Sequence, residues 1–222
     1  MGTHNLKAII FDFDGTILDT EMPEFLSWQE LYQEYGLELP IDLWVGAIGT
    51  INGFDPLAYL ESQVGSVAPV RVRRVEQRNL ELIQAQSVQP GVREWLAAAS
   101  DHALSLAIAS SSQNNWVKGH LTRLGLLPHF PIIIGRDNAG HQPKPSPAVY
   151  QTALARLGVR PDEAIAIEDS KNGVAAAKAA GLFTVYVPNE LTKHAGGAAA
   201  DQTISSLAAF TLADLLAQVA VF

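Results

Sequence analysis

Two carboxylates, Asp12 and Asp14, stand one residue apart at the end of an apolar run in "AIIFDFDGTILDT", residues 8–20. Side chains alternate along an extended strand, so the two acids share a face while Phe11 and Phe13 take the other. Neighbouring carboxylates disfavour each other's ionisation, so the pair needs an electrostatic reason to exist. Three further segments carry matching chemistry. "ASSS" brings Ser110, Ser111 and Ser112, "HQPKPSP" pins Lys144 between prolines, and "IED" brings Glu168 and Asp169. Carboxylate oxygens are the ligands that Mg²⁺ takes, and a bound cation offsets the repulsion between the acids. A lysine and hydroxyl groups balance and hydrogen-bond a phosphoryl group. Together these are the parts of a magnesium–phosphate site.

Such parts work only if the fold gathers them. Short apolar, β-rich runs at 7–13, 104–110, 131–135, 164–169 and 183–188 read as strands. Helix-like segments at 115–126, 146–158 and 172–181 lie between the later ones, two of them closing on Gly158 and Gly181. Strands alternating with helices predict an α/β fold, a Rossmann-like parallel sheet covered on both faces. In such sheets the ligand crevice lies at the carboxyl ends of the strands, where each of the chemical segments falls.

One interval breaks the rhythm. About ninety residues without a convincing strand separate the first two runs, too many for a loop in a compact domain. Phe25, Trp28, Leu31, Tyr32 and Tyr35 recur near a helical period, and 72–86 reads as a second helix. The expectation is a small α-helical cap domain, residues 20–88, inserted into a core formed by 1–19 and 89–222. Residues 88–92, "VQPGV", read as the return hinge, and 194–202 as a surface loop.

Composition narrows the class. The 222 residues, 48% apolar, suffice for a good-sized core and a smaller one. The net charge of −8 argues against nucleic acid and against anionic membranes. The basic cluster "RVRR", 71–74, reads as a solvated helix face. The absence of cysteine excludes disulfides, a thiolate nucleophile and a cysteine metal site. The apolar runs are too short to span a bilayer, and "KAIIFDF" is too short and acid-interrupted for a signal peptide, so a cytoplasmic protein is expected.

The motifs "DFDGT" (12–16), "ASS" (109–111), Lys144 in "KPSP" and "IEDS" (167–170), in that order, resemble those of the haloacid dehalogenase superfamily. The chain is most similar to its β-phosphoglucomutase-like branch with a helical cap, and the resemblance covers nearly the whole length. It implies that Asp12 is the nucleophile that becomes an aspartyl-phosphate. It implies that Asp14 is the general acid, later the base, with its backbone carbonyl on the metal. Asp169 would be an Mg²⁺ ligand, with Glu168 beside it in a direct or water-mediated role. Ser110 and Lys144 would clamp the phosphate, near the N–H groups of Gly15 and Ser111. The implied substrate is a small phosphate monoester, with sugar phosphates as the candidate class, turned over by a monomer or weak dimer without nucleic acid or membrane.

Within that branch the mutases carry a histidine where this chain has Glu24, and a cap arginine that "VGAIGTING", 45–53, lacks. Ser112 and Asn114 match mutase positions that hold the substrate's second phosphate, but Gln113 replaces a lysine. Lost cationic contacts weaken retention of a second dianion, so water is the expected acceptor and a phosphatase the expected enzyme. A sugar-phosphate mutase is the alternative, and a non-catalytic phosphate-binding module the third reading. Asp14 argues against a dehalogenase, which has no leaving oxygen to protonate. Glu24, Ser112 and Asn114 are expected at the substrate or leaving group. "GTINGF", 49–54, either lines the cap's substrate face or turns between cap helices. Asn114 and Asn115 read as helix N-caps, Asp169 as a second candidate cap, and His141 as a loop histidine.

Overall fold

The apolar run after Lys7 forms the central strand β1 (Ala8–Phe11), with all four residues buried. The coordinates are a computed structural model and describe residues 6–48, 53–195 and 198–219. Strands β2 (Ser105–Ala109), β3 (Ile132–Ile134), β4 (Ala164–Glu168), β5 (Phe183–Tyr186) and β6 (Gln202–Thr203) complete a sheet of order β3-β2-β1-β4-β5-β6. Every pairing is parallel. The chain runs outward from β1 to β3 and then returns to β4, so the β1/β4 boundary is the switch point where such sheets open a ligand crevice. Phe11 is in register with Ile108 on one side and Ile167 on the other. The residues that follow these three therefore leave the sheet at one level.

The two faces of the sheet differ in side-chain size. Ile9, Phe11, Leu106, Ile108, Ile165 and Ile167 point to one face and pack with Trp95, Leu121 and Leu215. These come from α5 (Val92–Asp101), α6 (Asn114–Arg123) and α9 (Leu212–Val219). Ala107, Ala109, Ala164 and Ala166 point to the other, with Tyr150, Ala153, Ala176 and Ala177. Small side chains let α7 (Ala148–Leu157) and α8 (Lys171–Ala179) approach that face closely.

Between β1 and β2 lie α1 (Glu21–Glu34), α2 (Ile41–Ala47), α3 (Pro56–Val64) and α4 (Pro69–Ala85). They bury an apolar cluster around Phe25, Leu31, Tyr32, Trp44 and Leu60, which Leu191 joins from the segment after β5. The outgoing and returning connections pair with each other, through a Leu18–Val88 bridge and a Gln89 N–H to Ile17 carbonyl bond of 2.9 Å. Asn172 Nδ2 on α8 donates to the Ile48 carbonyl at 2.8 Å and ties α2 to the sheet side. The arginines at the start of α4 face solvent, where Arg71 and Arg74 both pair with Glu34 and Arg78 pairs with Glu30.

Some expectations shift. β1 stops at Phe11, because the Asp12 N–H still bonds Ile167 O at 2.9 Å but the chain then turns at Gly15, φ +84°. Neither asparagine caps α6. The N-cap is Gln113, Asn114 is already helical, and its N–H is satisfied by Asp137 Oδ1 from the loop after β3, at 2.9 Å. Ser170, and not Asp169, caps α8 by accepting from Gly173 N–H at 3.0 Å. The stretch 194–202 is not wholly loop, since it opens in a helical turn (Thr192–Ala195) and ends in β6. Residues 49–52 of "GTINGF" lie outside the described residues. His141 is an exposed loop residue, as expected. No described helix is long and apolar enough to cross a membrane.

Candidate active site

A cavity of about 390 Å³ opens over the carboxyl ends of β1, β2 and β4 and under α1, α2 and α4. Asp12, Asp14, Ser111, Ser112, Lys144 and Asp169 line its floor, and Glu24 lines its roof. Four other expected site residues stand behind or beside this wall. Glu168 and Ser110 are fully buried. Gly15 spends its N–H on the Leu18 carbonyl, at 2.7 Å. Asn114 turns to Asn138 in the loop after β3.

Asp12 and Asp14 have different surroundings. Asp12, Glu168 and Asp169 offer carboxylate oxygens that all lie within 4.8 Å of one another. Lys144, 2% exposed, reaches into this group, pairing with Asp12 Oδ1 and, at 2.5 Å, with Glu168 Oε1. Tyr150 Oη on α7 donates to the same Glu168 oxygen at 2.6 Å. Asp169 accepts from Asn189 Nδ2 at 2.7 Å and Thr16 Oγ1 at 3.2 Å. Asp14 instead points toward β2 and α6. Its Oδ2 accepts from Ser112 Oγ at 2.7 Å and Ser110 Oγ at 3.1 Å. Its Oδ1 accepts from Thr20 Oγ1 at 2.9 Å and Trp116 Nε1 at 3.0 Å.

Two glycines make this packing possible. A Cβ on Gly15 would lie 2.2 Å from Asp169 Oδ2, at a φ that side chains rarely adopt. A Cβ on Gly173, in the first turn of α8, would lie 1.8 Å from Glu168 Oε2.

The charge is unbalanced. Burial pushes the Asp12 carboxyl up to about 8; Lys144 opposes this, and Glu168 and Asp14 add to it. Burial, then Asp12 and Glu168, hold Asp169 well above the usual carboxylate range. Glu21 is raised well above it by burial and by Asp169, Asp14 and Asp12, and Glu24 is raised by burial and by Asp14. Burial disfavours the Lys144 ammonium, but Asp12 and Glu168 outweigh it and raise its pKa. One ammonium among the buried Asp12, Glu168 and Asp169 carboxylates leaves a deficit of positive charge. A hard, oxygen-seeking divalent cation fits that donor set, and Asp12, Asp169 and Glu168 are the side chains placed to hold it.

Several participants escaped the sequence reading. Thr16, Thr20 and Glu21 sit in or beside the opening motif, and Asn189 follows β5 by three residues, so strand-end reasoning extended to the fifth strand would have found it. Tyr150 and Trp116 carried no signal, since aromatic residues on helices read as core.

A parallel α/β sheet with acids and a lysine at its strand ends, roofed by helices inserted after the first strand, defines a hydrolase of the Rossmann-like, acid-cluster class. The chain belongs to the haloacid dehalogenase-like hydrolase family, whose model matches residues 9–187. It is 42% identical over 217 residues to the putative phosphatase YhcW of Bacillus subtilis, covering 95% of this chain and 96% of that protein. It is 31% identical to the phosphorylated carbohydrates phosphatase of Thermotoga maritima, over 82% of this chain and 84% of that one. Among solved structures it resembles CbbY from Rhodobacter sphaeroides in complex with phosphate, with a TM-score of 0.73 and 30% identity, over 95% of this chain and 99% of that chain.

Proposed function

We propose that the protein is an Mg²⁺-dependent phosphatase of small phosphate monoesters, phosphorylated carbohydrates foremost. The observation that carries this reading is the division of labour between the two acids of one strand end. Asp12 sits in the acid cluster with Glu168 and Asp169, and Asp14 is held apart by four donors. One carboxylate is then free to attack and the other to handle protons.

The Asp12 carboxylate attacks phosphorus in line with the ester oxygen, and the P–O bond to the leaving group breaks as an acyl-phosphate forms on Asp12. Asp14 gives its proton to the leaving oxygen, and its four donors stabilise the carboxylate that results. In the second half, Asp14 takes a proton from water as the water oxygen attacks phosphorus, releasing inorganic phosphate and restoring both acids. Bound Mg²⁺ supplies charge compensation for the phosphoryl oxygens and the acid cluster. Lys144, Ser111 and Ser112 line the floor where the phosphoryl group would rest, and Ser110, Gly15 and Glu168 support them from behind. Asn114, turned toward Asn138, is not given a substrate role.

Residues 20–88 act in this proposal as a cap over a core of 1–19 and 89–222, excluding water from the first half-reaction. Their apolar cluster, drawn mainly from these helices, and the paired connections at Leu18 and Val88 support that division. The proposal takes the enzyme to work in the cytoplasm as a monomer or weak dimer, on a small diffusible ester that fits the cavity. Water is the acceptor, since Glu24 offers no cation to hold a second phosphate. Phosphate release from a monoester panel tests this: wild type with Mg²⁺ turns over, while wild type in EDTA and Asp12→Asn in Mg²⁺ do not. Interconversion of sugar phosphates without phosphate release would establish the mutase instead.

A further inference from the structure

Asp169 is braced by a turn whose other end leads out of the site. Asn189 Nδ2 donates to Asp169 Oδ2 at 2.7 Å, and Asn189 Oδ1 accepts from the N–H groups of Leu191 and Thr192, both at 2.9 Å. The amide is held at both ends, so the backbone at 191–192 sets where its N–H points. Thr192 closes the turn. Its Oγ1 accepts from Asn189 N–H at 2.9 Å, and its carbonyl accepts from Tyr186 Oη on β5 at 3.2 Å. Leu191 does not join the core of the sheet. It is buried in the cap cluster with Trp44 and Val45 of α2 and with Ile48 just after that helix. The helical turn Thr192–Ala195 packs against α2 as well. A second tie lies on the other side of Asp169. Asn172, three residues after it, donates to the Ile48 carbonyl at 2.8 Å. Val45 and Thr192 line a cleft of about 290 Å³ beside these ties, between α2 and the core. The cap helix α2 is therefore fastened to both chain segments that govern the Asp169 carboxylate.

We infer that Leu191 is a positioning residue that couples the seating of the cap to the metal site: held in the α2 cluster, it sets the Asn189 turn, and through that turn the Asp169 carboxylate, so that a seated cap tightens a divalent cation at Asp12, Glu168 and Asp169. The inference rests on the Mg²⁺ reading of that cluster and adds a regulation to it. A ligating carboxylate loses affinity for its metal when the hydrogen bond behind it is misplaced. Linkage makes the coupling reciprocal: what a seated cap adds to cation affinity, a bound cation adds to cap seating. An open cap, from which product leaves, then holds the cation less tightly than a closed one.

The test reads Mn²⁺ bound to the substrate-free protein by electron paramagnetic resonance, with Mg²⁺ as competitor. Leu191→Ala raises the Mn²⁺ dissociation constant about 3- to 10-fold, the scale of coupling carried through packed side chains. Leu191→Met keeps the volume and restores most of the affinity. Val45→Ala reaches the same contact from the cap side, without altering the turn, and weakens Mn²⁺ in the same way. Leu60→Ala, in the same cluster but on α3, is the control for a cap that is merely softened. It lowers Tm and leaves the Mn²⁺ constant unmoved. In an Asn189→Ala background Leu191→Ala adds no further loss, because it acts through that amide. Saturating Mg²⁺ slows hydrogen exchange of the α2 amides more in wild type than in Leu191→Ala. Unchanged Mn²⁺ binding in Leu191→Ala or in Val45→Ala overturns the coupling while leaving the metal site standing, as does an equal loss in Leu60→Ala. A wild type that binds Mn²⁺ no better than Asp169→Asn overturns the metal reading and this inference with it.

Discussion

Gly173→Ala should destabilise the protein, although the same change inside a helix normally does the reverse. Alanine is favoured over glycine in a helix by up to about 1 kcal/mol. At residue 173, however, the new Cβ would lie 1.8 Å from Glu168 Oε2, 2.0 Å from its Cδ and 2.1 Å from Oε1. The whole carboxyl group occupies the space, so it must retreat by well over 1 Å to reach ordinary contact. That movement stretches the 2.5 Å bond from Lys144 and the 2.6 Å bond from Tyr150 beyond useful length. Breaking a buried ion pair costs about 3–5 kcal/mol. Less the helix gain, the net loss is about 2–4 kcal/mol, or roughly 5–15 °C in Tm for a chain of this size. Gly119→Ala is the matched control. Gly119 lies in α6 with nothing within 4 Å of its added Cβ, and there the substitution should stabilise by roughly 0.5–1 kcal/mol. Urea and thermal denaturation of both variants, in EDTA, decide the matter. A Gly173→Ala protein as stable as wild type would mean that Glu168 moves aside freely, and the account of Lys144 as a tightly braced cation would be wrong.

Other outcomes follow from the same geometry. Asp14→Asn should lose about 10²–10⁴-fold on alkyl phosphates, the usual worth of general acid–base catalysis, but much less in the burst of p-nitrophenolate, whose departure needs no proton. An equal burst-phase loss on both ester types would remove Asp14 from the acid role. Metal-free stability should fall as pH rises from about 4 to about 8. Asp12, at about 8 in the folded state against 3.8 ordinarily, keeps its proton there while the unfolded chain has released it. Asp169 and Glu21 shift in the same direction, and each group adds at most about 1.4 kcal/mol per pH unit. Tm measured across pH in EDTA should show this slope, and saturating Mg²⁺ should flatten it; a rising slope in EDTA would refute the raised Asp12. Asn189→Ala removes the 2.7 Å donor to Asp169, and the Mg²⁺ concentration for half-maximal activity should rise about 10- to 100-fold. An unchanged requirement would show that Asp169 needs no such brace.

Much of this architecture is written locally. The strands are legible because short apolar runs bounded by breakers have few other stable homes, and their alternation with helices leaves a parallel sheet as the arrangement that buries them. A parallel register then carries the residues after each run to one edge. Hence Asp12, Asp14, Ser111, Ser112, Lys144 and Asp169 are brought together by strand order and register alone, and they line one cavity. The short helices α2 and α3 were not individually legible, although Asp55 capping α3 from before Pro56 is a local signal that was there to read. Asn114 does not cap α6, because a one-residue shift in the start of the helix turns a cap into a first-turn residue facing Asn138.

What the tertiary structure alone decided is which polar groups meet. Asp14 takes its donors from residues 20, 110, 112 and 116, and Asp169 takes Asn189 from a different strand end. Lys144 lies between Asp12 and Glu168, and the space for Glu168 exists because α8 brings a glycine over it. Sequence periodicity determines which way a side chain faces along one element. The donor it finds belongs to another element, set by helix packing and loop course, and Coulombic and hydrogen-bond energies depend on that separation over a few ångströms. The strand ends and their order were therefore present in the chain itself, whereas the electrostatic division between Asp12 and Asp14 came into being only when the helices closed around them.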